Sequence, residues 1–241
     1  MKYVVVIPAR YKSLRLPGKP LVDIHGKTLL QRTYEQCIIG VNKELVYVAT
    51  DNVEIFNHCV SLNIQVVMTS DNCLTGTDRI AEFANKVEAD VYINVQGDEP
   101  LINPNDINKV IEAAKKNPND VINGYSSIDS IINYNSLTIP KVVFRPDGRL
   151  LYMSRSSIPG NKNGIFQKSW RQICVYAFPK KALVEFSSLK EKTVLEQEED
   201  IEILRFLEIG YEVRMIELSK DSIAVDTQED LELVRKIIKN E

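Results

Sequence analysis

Short apolar runs alternate with amphipathic segments through the first half of the chain. Apolar residues recur at helical spacing in "KTLLQRTYEQCII", "NVEIFNHCVSL" and "TDRIAEFANKV", which predicts three helices, the third beginning near Thr77. The apolar runs "YVVVI", "ELVYVATD", "IQVVMTS" and "DVYINVQGDEP" predict strands, and the first is typical of a central strand buried on both faces. Repeated strand, helix, strand units of this length indicate a parallel sheet with right-handed crossovers.

The pattern changes between about residues 121 and 180. Two β-like runs flank Pro146-Asp147-Gly148 in "KVVFRPDGRLLYMSRSSIP", which predicts a hairpin, and "WRQICVYAFP" predicts another strand. We therefore expect an antiparallel insertion over about residues 133–178. Beyond it, the pattern predicts a helix from about Thr193 to Glu208, a strand in "YEVRMIEL" and a terminal helix with Thr227 as its N-cap.

Length and composition are those of an ordinary soluble globular protein. The chain has 241 residues, of which 44% are hydrophobic and 26% are charged. This length fits one large domain or two small ones. With no internal repeat or low-complexity segment visible, we predict one α/β, Rossmann-like domain over residues 1–241, with a mainly parallel sheet flanked by helices and the antiparallel arm inserted in the second half.

Charge and cysteine content exclude several classes of protein. The net charge of -3 and the lack of a basic face or polybasic tail argue against a nucleic-acid or membrane partner. The chain begins in a strand, without a leader pattern or a membrane-length apolar run, so we expect a cytoplasmic protein. Four cysteines form no CxxC, and there are only two histidines, which disfavours structural zinc and predicts reduced thiols.

Four cations follow the first strand, in a segment whose prolines and glycine predict a loop. They are Arg10, Lys12, Arg15 and Lys19. Because open α/β sheets bind ligands at the carboxyl ends of their strands, this loop indicates an anionic ligand, and a merely solvated basic loop is the alternative. Neither GxxxxGK[ST] nor GxGxxG is present, which disfavours P-loop and dinucleotide-binding proteins.

Two aspartates follow apolar runs at distant points of the chain. Asp98 comes after "NVQG" and Asp226 lies in "SIAVDT", so both could meet at one sheet edge. One or two carboxylates together with substrate phosphates are the usual ligands of Mg²⁺, which makes the pair a candidate metal site. The alternative is structural: Asp98 would start a turn and Asp226 would cap the terminal helix.

Six segments in order carry a family resemblance. "VVIPARYKSLRLPGKPL", "VATD", "GTDRI", "INVQGDEP", "LYMSRSSIP" and "AVDTQEDLE" together resemble the 3-deoxy-manno-octulosonate (Kdo) cytidylyltransferases. The resemblance implies a nucleotidyltransferase domain that joins CMP, taken from CTP, to a 2-keto-3-deoxy sugar acid with release of pyrophosphate. It also implies Mg²⁺ as cofactor, a homodimer formed through the hairpin arm, and a product for lipopolysaccharide or capsule.

The resemblance further implies a role for each matching residue. The CTP phosphates would be bound by Arg10, Arg15 and Lys19, and these three residues together with Asp98 would be the catalytic residues. The Mg²⁺ ion would be bound by Asp98 and Asp226. The cytidine site would be lined by Pro8, Ala9, Thr77, Asp78 and Arg79. The ribose would be contacted by Gln96. The sugar pocket would contain Arg155, Tyr176 and Glu202.

Two departures from the family pattern concern the sugar pocket. The family strand reads like "RHLGIYAY", whereas this chain has "RQICVYAF", so that Gln172 replaces a histidine. The family stretch "LEQLR" aligns with "IEILR", so that Ile203 replaces a glutamine. Loss of a polar partner changes substrate discrimination strongly. We therefore keep two hypotheses: an enzyme for a different or modified acidic acceptor, and a Kdo enzyme that tolerates both changes.

Two further classes remain as alternatives. A non-catalytic nucleotide-binding protein would be expected to have lost some of the cations that bind phosphate or the acids that bind metal. All five are present: Arg10, Arg15, Lys19, Asp98 and Asp226. A nucleotide-sugar glycosyltransferase would be expected to carry a DxD-like motif, whereas "GDEP" offers only Asp98 and Glu99.

Overall fold

The computed structural model describes residues 1–13, 15–220 and 222–239. The strands of this part are β1 (Tyr3–Ala9), β2 (Asp23–Ile24), β3 (Lys27–Thr28), β4 (Val46–Thr50), β5 (Gln65–Met68), β6 (Val91–Val95), β7 (Val121–Ile128), β8 (Lys141–Phe144), β9 (Leu150–Ser154), β10 (Ser169–Pro179) and β11 (Val213–Glu217). The α-helices are α1 (Leu29–Gly40), α2 (Val53–Ser61), α3 (Gly76–Ala84), α4 (Pro104–Lys116), α5 (Ile131–Asn135), α6 (Lys180–Ser188), α7 (Val194–Glu199), α8 (Ile203–Glu208) and α9 (Gln228–Lys239).

One mixed, mostly parallel sheet organises the chain. Its order is β11-β7-β10-β6-β1-β4-β5, with β8 added to β10 and β9 added to β8. Strand β1 pairs in parallel with β4 and with β6, whereas β10 runs antiparallel to both β6 and β7. The predicted α/β fold with a mainly parallel sheet is therefore confirmed, including the antiparallel section in the second half.

Helices cover both faces of the sheet because β1 is apolar on both faces. Val5 and Ile7 contact the cluster covered by α1, α2 and α4, and Val4 and Val6 contact the cluster covered by α3, α6 and α8. A third, smaller cluster attaches α9 to the cationic loop and to the segment that follows it; its buried members are Leu16, Ile24, Leu29, Val225, Leu231 and Val234. Helix α9 is thereby held beside the loop at the carboxyl end of β1.

The predicted hairpin is present. Strands β8 and β9 pair antiparallel around Pro146-Asp147-Gly148, with Val143 opposite Tyr152. Strand β8 also joins β10 at the pair Lys141 and Arg171, and β10 itself lies between β6 and β7. The segment over about residues 133–178 thus includes part of the main sheet as well as the hairpin. Its role in dimerisation stays a prediction.

The predicted helix from Thr193 to Glu208 is wrong in one respect, because the structure divides it into α7 and α8. Asp200 lies between them with a left-handed backbone (φ 50°), which ends the first helix. Aspartate tolerates this conformation better than most residues, because its short polar side chain bonds locally. The chain therefore begins a new helix, α8, at Ile203 rather than continuing α7.

Three smaller expectations can be compared with the structure. Thr227 caps α9 as predicted: its hydroxyl accepts a hydrogen bond from the Asp230 amide (3.2 Å) and Asp230 Oδ2 accepts one from the Thr227 amide (2.9 Å). All four cysteines are free, and Cys37 and Cys59 are buried. Across residues 1–13, 15–220 and 222–239, no helix combines the length and apolarity needed to cross a membrane.

Candidate active site

A polar cleft of about 520 Å³ opens at the carboxyl ends of β1 and β6. It brings together ten of the residues named from the sequence: Pro8, Ala9, Arg10, Arg15, Lys19, Arg79, Gln96, Asp98, Glu202 and Asp226. The sequence reasoning placed the phosphate cations and the aspartates at one sheet edge, and the structure has them around one cavity. What each residue binds stays a prediction.

The loop after β1 holds Lys19 in a rigid turn. Gly18 has a left-handed backbone (φ 64°), a conformation that glycine adopts without steric cost. Its amide donates to the Tyr11 carbonyl (3.3 Å), and its own carbonyl accepts from the Leu21 amide (2.8 Å). Pro20 further restricts the 3₁₀ turn Lys19–Leu21. The base of the Lys19 side chain is therefore fixed relative to the end of β1.

The two aspartates are held side by side through the backbone. Asp98 follows Gly97, where an added Cβ would lie 2.8 Å from the Pro8 carbonyl oxygen, so only glycine allows β6 to end this close to β1. The Asp98 carbonyl accepts a hydrogen bond from the Val225 amide (2.9 Å). Asp226, the next residue along the chain, is thereby placed beside Asp98 at the mouth of the cleft.

Lys19 joins these two carboxylates. Its Nζ donates to Asp98 Oδ2 at 2.6 Å and to Asp226 Oδ1 at 3.0 Å. Arg15 adds an ion pair to Asp226 at 3.0 Å, with more than half of its side chain exposed. Burial works to lower the pKa of Lys19, but the two carboxylates together raise it above its usual value. Burial works to raise the pKa of Asp226, and Lys19 and Arg15 hold it below its usual value.

The donor set at this point fits a hard divalent cation. Asp98 and Asp226 reach a common cationic atom from two sides, so their oxygens converge on one position. In the described parts of the chain, no group of three or more histidine, cysteine, aspartate or glutamate side chains could hold a metal by itself. Two carboxylates completed by substrate phosphates and water match the way Mg²⁺ is usually held.

Glu202 connects the cleft to the start of α3. Its carboxylate accepts hydrogen bonds from the Gly76 amide (3.1 Å), from the Thr77 amide (2.9 Å) and from the Thr77 hydroxyl. Burial raises the pKa of Glu202, although these hydrogen bonds act in the opposite direction. The carboxylate therefore sits at the positive end of a helix dipole, and it also lines the cleft.

Glu99, which follows the predicted metal ligand Asp98 along the chain, is a buried acid. It is 5% exposed and accepts a hydrogen bond from the Ser222 hydroxyl. Burial, together with the neighbouring charge of Asp98, raises the pKa of Glu99 to about 7.

The predicted cytidine residues divide into two groups. Pro8 and Ala9 line the cleft at the end of β1, and so does Arg79, whose guanidinium is only slightly exposed and pairs with Asp51 at 2.7 Å. Thr77 is 1% exposed and is held by Glu202. Asp78 caps α3 by accepting from the Thr75 amide (2.9 Å) and lines a neighbouring cavity of about 420 Å³. In this structure Thr77 and Asp78 therefore build the helix start.

Four of the five predicted sugar-pocket residues lie outside the lining of the cleft: Ile203 and three residues with polar side chains. Arg155 donates to the main-chain carbonyls of Glu199 (2.6 Å) and Asp200 (3.0 Å), so its guanidinium holds the end of α7. Gln172 donates to Asn123 Oδ1 at 3.0 Å within the sheet. Tyr176 is 8% exposed and belongs to the core cluster with α3 and α6. Contact of these three side chains with a sugar stays a prediction.

Ile203 is buried in this structure. The sequence placed it on the wall of a sugar pocket, but it is 1% exposed and contacts the core cluster covered by α3, α6 and α8. Because α8 begins anew after Asp200, its first turn directs Glu202 to the cleft while the following side chain is buried. The effect of the exchange of glutamine for isoleucine on the choice of acceptor stays a prediction.

The burial of Ile203 gives a testable consequence. We expect Ile203→Gln to lower the free energy of unfolding by about 1–3 kcal/mol, because an amide would be buried among apolar side chains. The ratio of kcat/KM values for different acceptors should stay unchanged. Urea unfolding and acceptor kinetics of the variant check this, with Ile39→Gln at an exposed site of α1 as the control. A large change in acceptor ratio would return Ile203 to the sugar pocket.

Two charged residues of the cleft were not predicted from the sequence. Lys192 and Asp200 belong to its lining and form an ion pair at 2.6 Å across the ends of α7. The segment was predicted as one continuous helix, which would have carried Asp200 along a solvated face. The available signal was the capping box formed by Thr193 and Glu196, which marks a helix start just after Lys192.

Comparison with known proteins agrees with this geometry. The Cytidylyltransferase family model matches residues 4–222. A 3-deoxy-manno-octulosonate cytidylyltransferase of Protochlamydia amoebophila is 40% identical over 240 residues, which cover 96% of this chain and 92% of the relative. The enzyme of the same name from Escherichia coli is 36% identical over 240 residues, which cover 100% of this chain and 97% of the relative.

A solved structure matches the whole chain as well. CMP:2-keto-3-deoxy-manno-octonic acid synthetase complexed with CTP has a TM-score of 0.92 and 36% identity, and the match covers 100% of this chain and 99% of that one. The fold and the cleft define a nucleotidyltransferase enzyme. The chain belongs to the cytidylyltransferases, within the 3-deoxy-manno-octulosonate cytidylyltransferase family.

Proposed function

We propose that the enzyme transfers CMP from CTP to the anomeric hydroxyl of a 2-keto-3-deoxy sugar acid, with Mg²⁺ as cofactor and pyrophosphate as the second product. The observation that carries this proposal is the meeting of Lys19 and Arg15 with Asp98 and Asp226 in one cleft that Arg10 also lines. Cations for a triphosphate and hard oxygen ligands for a divalent metal are the groups that this reaction requires.

The reaction can be written without a covalent enzyme intermediate. The sugar hydroxyl attacks the α-phosphorus of CTP, the new bond joins its oxygen to phosphorus, and the bond to the pyrophosphate oxygen breaks. The hydroxyl proton is released, and the pyrophosphate leaves with the electron pair of the broken bond. Catalysis then depends on alignment of the two reactants and on neutralising the charge of the leaving group.

Different residues of the cleft would align the reactants and neutralise the charge of the leaving group. Arg10, Arg15 and Lys19 would bind the phosphates and neutralise the leaving pyrophosphate, as side-chain cations do in other phosphate sites. Asp98 and Asp226 would hold Mg²⁺, which supplies charge neutralisation and lowers the pKa of a hydroxyl bound to it. Gln96 and Glu202 also line the cleft and would offer polar groups to the ribose and the sugar acid.

The choice of CTP and of a sugar acid rests on the relatives. A protein that matches this chain at 36% identity over its whole length was solved with CTP and is named for 2-keto-3-deoxy-manno-octonic acid. The curated relatives carry the name of the same sugar. Kdo is therefore the first acceptor to test, and the departures at Gln172 and Ile203 keep a modified or different acid as the second. The product would serve lipopolysaccharide or capsule synthesis, and we propose the cytoplasm as the compartment that supplies CTP.

We also propose a homodimer formed through the hairpin region. The supporting observation is a set of exposed apolar side chains in this part of the chain: Ile131, Ile132, Leu137, Leu151 and Ile165 are 49–77% exposed. Water contact with so many large apolar groups in one region is unfavourable, and a second copy would remove it. A mass near that of one chain in sedimentation equilibrium would remove this part of the proposal.

The experiment that tests the function is a substrate panel. Pyrophosphate release is measured with Mg²⁺ and CTP, UTP, ATP or GTP, each with Kdo, an 8-amino analogue of Kdo or a nonulosonic acid. We expect release with CTP and a 2-keto-3-deoxy acid, and a background rate for the other nucleotides. Selective use of Kdo would dismiss the altered-acceptor hypothesis. Absence of release with every acid, although CTP binds by calorimetry, would contradict the proposed acceptor class.

A further inference from the structure

In this structure Lys19 lies in the position that a metal between Asp98 and Asp226 would need. Its Nζ is 2.6 Å from Asp98 Oδ2 and 3.0 Å from Asp226 Oδ1. Mg²⁺ binds carboxylate oxygens at about 2.0–2.1 Å and requires a near-octahedral shell around it. An ion that used both oxygens would therefore overlap the ammonium group. Lys19 in its present position and a metal bound by both aspartates exclude each other.

The charges of the free site are already balanced. Lys19 and Arg15 contribute two positive charges, and Asp98 and Asp226 contribute two negative ones. The Lys19 side chain is largely buried, with 16% exposed, so its contacts are shielded less by water than those of a surface pair. A divalent cation that approaches this site meets occupied carboxylates and two nearby positive charges. Aspartates alone therefore make a poor metal site while Lys19 is bound to them.

The backbone around Lys19 leaves the side chain as the part that can move. Gly18, Pro20 and the hydrogen bonds of the 3₁₀ turn fix the main chain. Lysine has a flexible four-carbon stem and a compact charge, so its ammonium can turn from one anionic partner to another without movement of the loop. A triphosphate bound in the same cleft would offer such partners and would also supply oxygen ligands for the metal.

We propose that Lys19 excludes the metal from the nucleotide-free enzyme, and that the triphosphate opens the metal site by drawing the Lys19 ammonium away. This rests on the proposed function, because it assumes that Asp98 and Asp226 hold the metal. Metal and nucleotide then bind with positive coupling, and by linkage each raises the affinity for the other by the same factor. Lys19 is a switch between two partners as well as a phosphate ligand.

The test measures metal binding without turnover. Mn²⁺ replaces Mg²⁺, and the signal of free Mn²⁺ in electron paramagnetic resonance gives its dissociation constant with and without a non-hydrolysable CTP analogue. For the wild type we expect weak binding of Mn²⁺ alone and tight binding with the analogue. For Lys19→Met we expect nucleotide-free binding about tenfold tighter or more, within the usual range of coupling between two sites. The factor by which the CTP analogue tightens Mn²⁺ binding should therefore be smaller in Lys19→Met than in the wild type.

Two further variants test whether the change in Mn²⁺ affinity is specific to the loss of the Lys19 ammonium. Lys12→Met removes the charge of an exposed lysine in the same loop, and Mn²⁺ affinity should stay close to the wild-type value. Lys19→Gln serves if Lys19→Met does not fold, and it should behave in the same way. As a second readout, 10 mM Mg²⁺ alone should raise the Tm of the Lys19 variants but not that of the wild type, because ligands that bind the native state stabilise it.

The failures of the two proposals are distinguishable. If Asp98→Asn and Asp226→Asn leave Mn²⁺ binding in the presence of the analogue unchanged, the proposed metal site is wrong. If they abolish it, but Lys19→Met binds nucleotide-free Mn²⁺ no better than Lys12→Met does, the metal site stands and the exclusion by Lys19 is wrong. A tighter nucleotide-free site only in the Lys19 variants supports the proposal.

Discussion

Replacing Asp98 or Asp226 with asparagine is expected to lower kcat by a factor on the order of 10²–10³ while the fold is retained. The reason is that each substitution removes a negative oxygen from the point where the proposed Mg²⁺ and the cationic loop meet. Loss of one preorganised electrostatic contact to the reacting groups typically costs this much in rate. The two variants should resemble each other, because both carboxylates converge on one position.

The measurement is steady-state pyrophosphate release over a series of Mg²⁺ concentrations, with circular dichroism to confirm folding. Asp129→Asn is the matched control, since Asp129 forms an exposed ion pair with Lys220 and should leave kcat near the wild-type value. Wild-type kcat for Asp98→Asn or Asp226→Asn at saturating Mg²⁺ would remove that residue from the metal site.

The second large effect is on stability and involves the buried pair of Arg205 and Glu196. Arg205 Nε donates to Glu196 Oε2 at 2.5 Å, and a second guanidinium nitrogen donates to Oε1 at 2.7 Å, with both residues 0% exposed. The guanidinium also lies 3.8 Å from the ring centroid of Phe186 and bonds Asp78 at 3.3 Å. One side chain thus connects α7 and α8 with α6 and with the start of α3.

Arg205→Met is expected to lower the free energy of unfolding by about 3–5 kcal/mol, because it leaves the Glu196 carboxylate buried without its partner. The double variant Arg205→Met/Glu196→Met should recover more than half of that loss, since an apolar pair of similar volume often replaces a buried ion pair at little cost. Urea unfolding measures both. A loss under about 1 kcal/mol for the single variant would show that the pair is not a principal connection between these helices.

Much of the cleft could be predicted from sequence because parallel strands end at the same edge of a sheet. Arg10 to Lys19 follow β1 and Asp98 follows β6, and these two strands are neighbours. A pattern of apolar runs is enough to predict that their carboxyl ends meet. Asp226 could be included because it follows an apolar run. The contact of Lys19 with both aspartates was not predictable, since it depends on the exact turn around Gly18 and on the Val225 hydrogen bond.

The sugar side of the cleft was predicted less well, for two physical reasons. A continuous helix was expected where Asp200 adopts a left-handed backbone, and periodicity carries no signal for such a break. The helix that follows begins anew after this break, and in the structure Glu202 lines the cleft whereas Ile203 is buried. Motif alignment assigns residues to a pocket by position along the chain, whereas exposure depends on which way a short helix is turned. The helices α4 and α6, which complete the two helical layers, were also not named.

The most direct test of the central claim is an analysis of the products formed from CTP, Kdo and Mg²⁺. Phosphorus nuclear magnetic resonance and mass spectrometry should find one phosphodiester that joins CMP to the sugar acid for each pyrophosphate released, and with Asp98→Asn both products should form more slowly by a factor on the order of 10²–10³. Formation of CDP would place the attack at a different phosphorus atom. Free CMP with pyrophosphate, without the phosphodiester, would make the enzyme a hydrolase of CTP and would contradict transfer to the sugar hydroxyl.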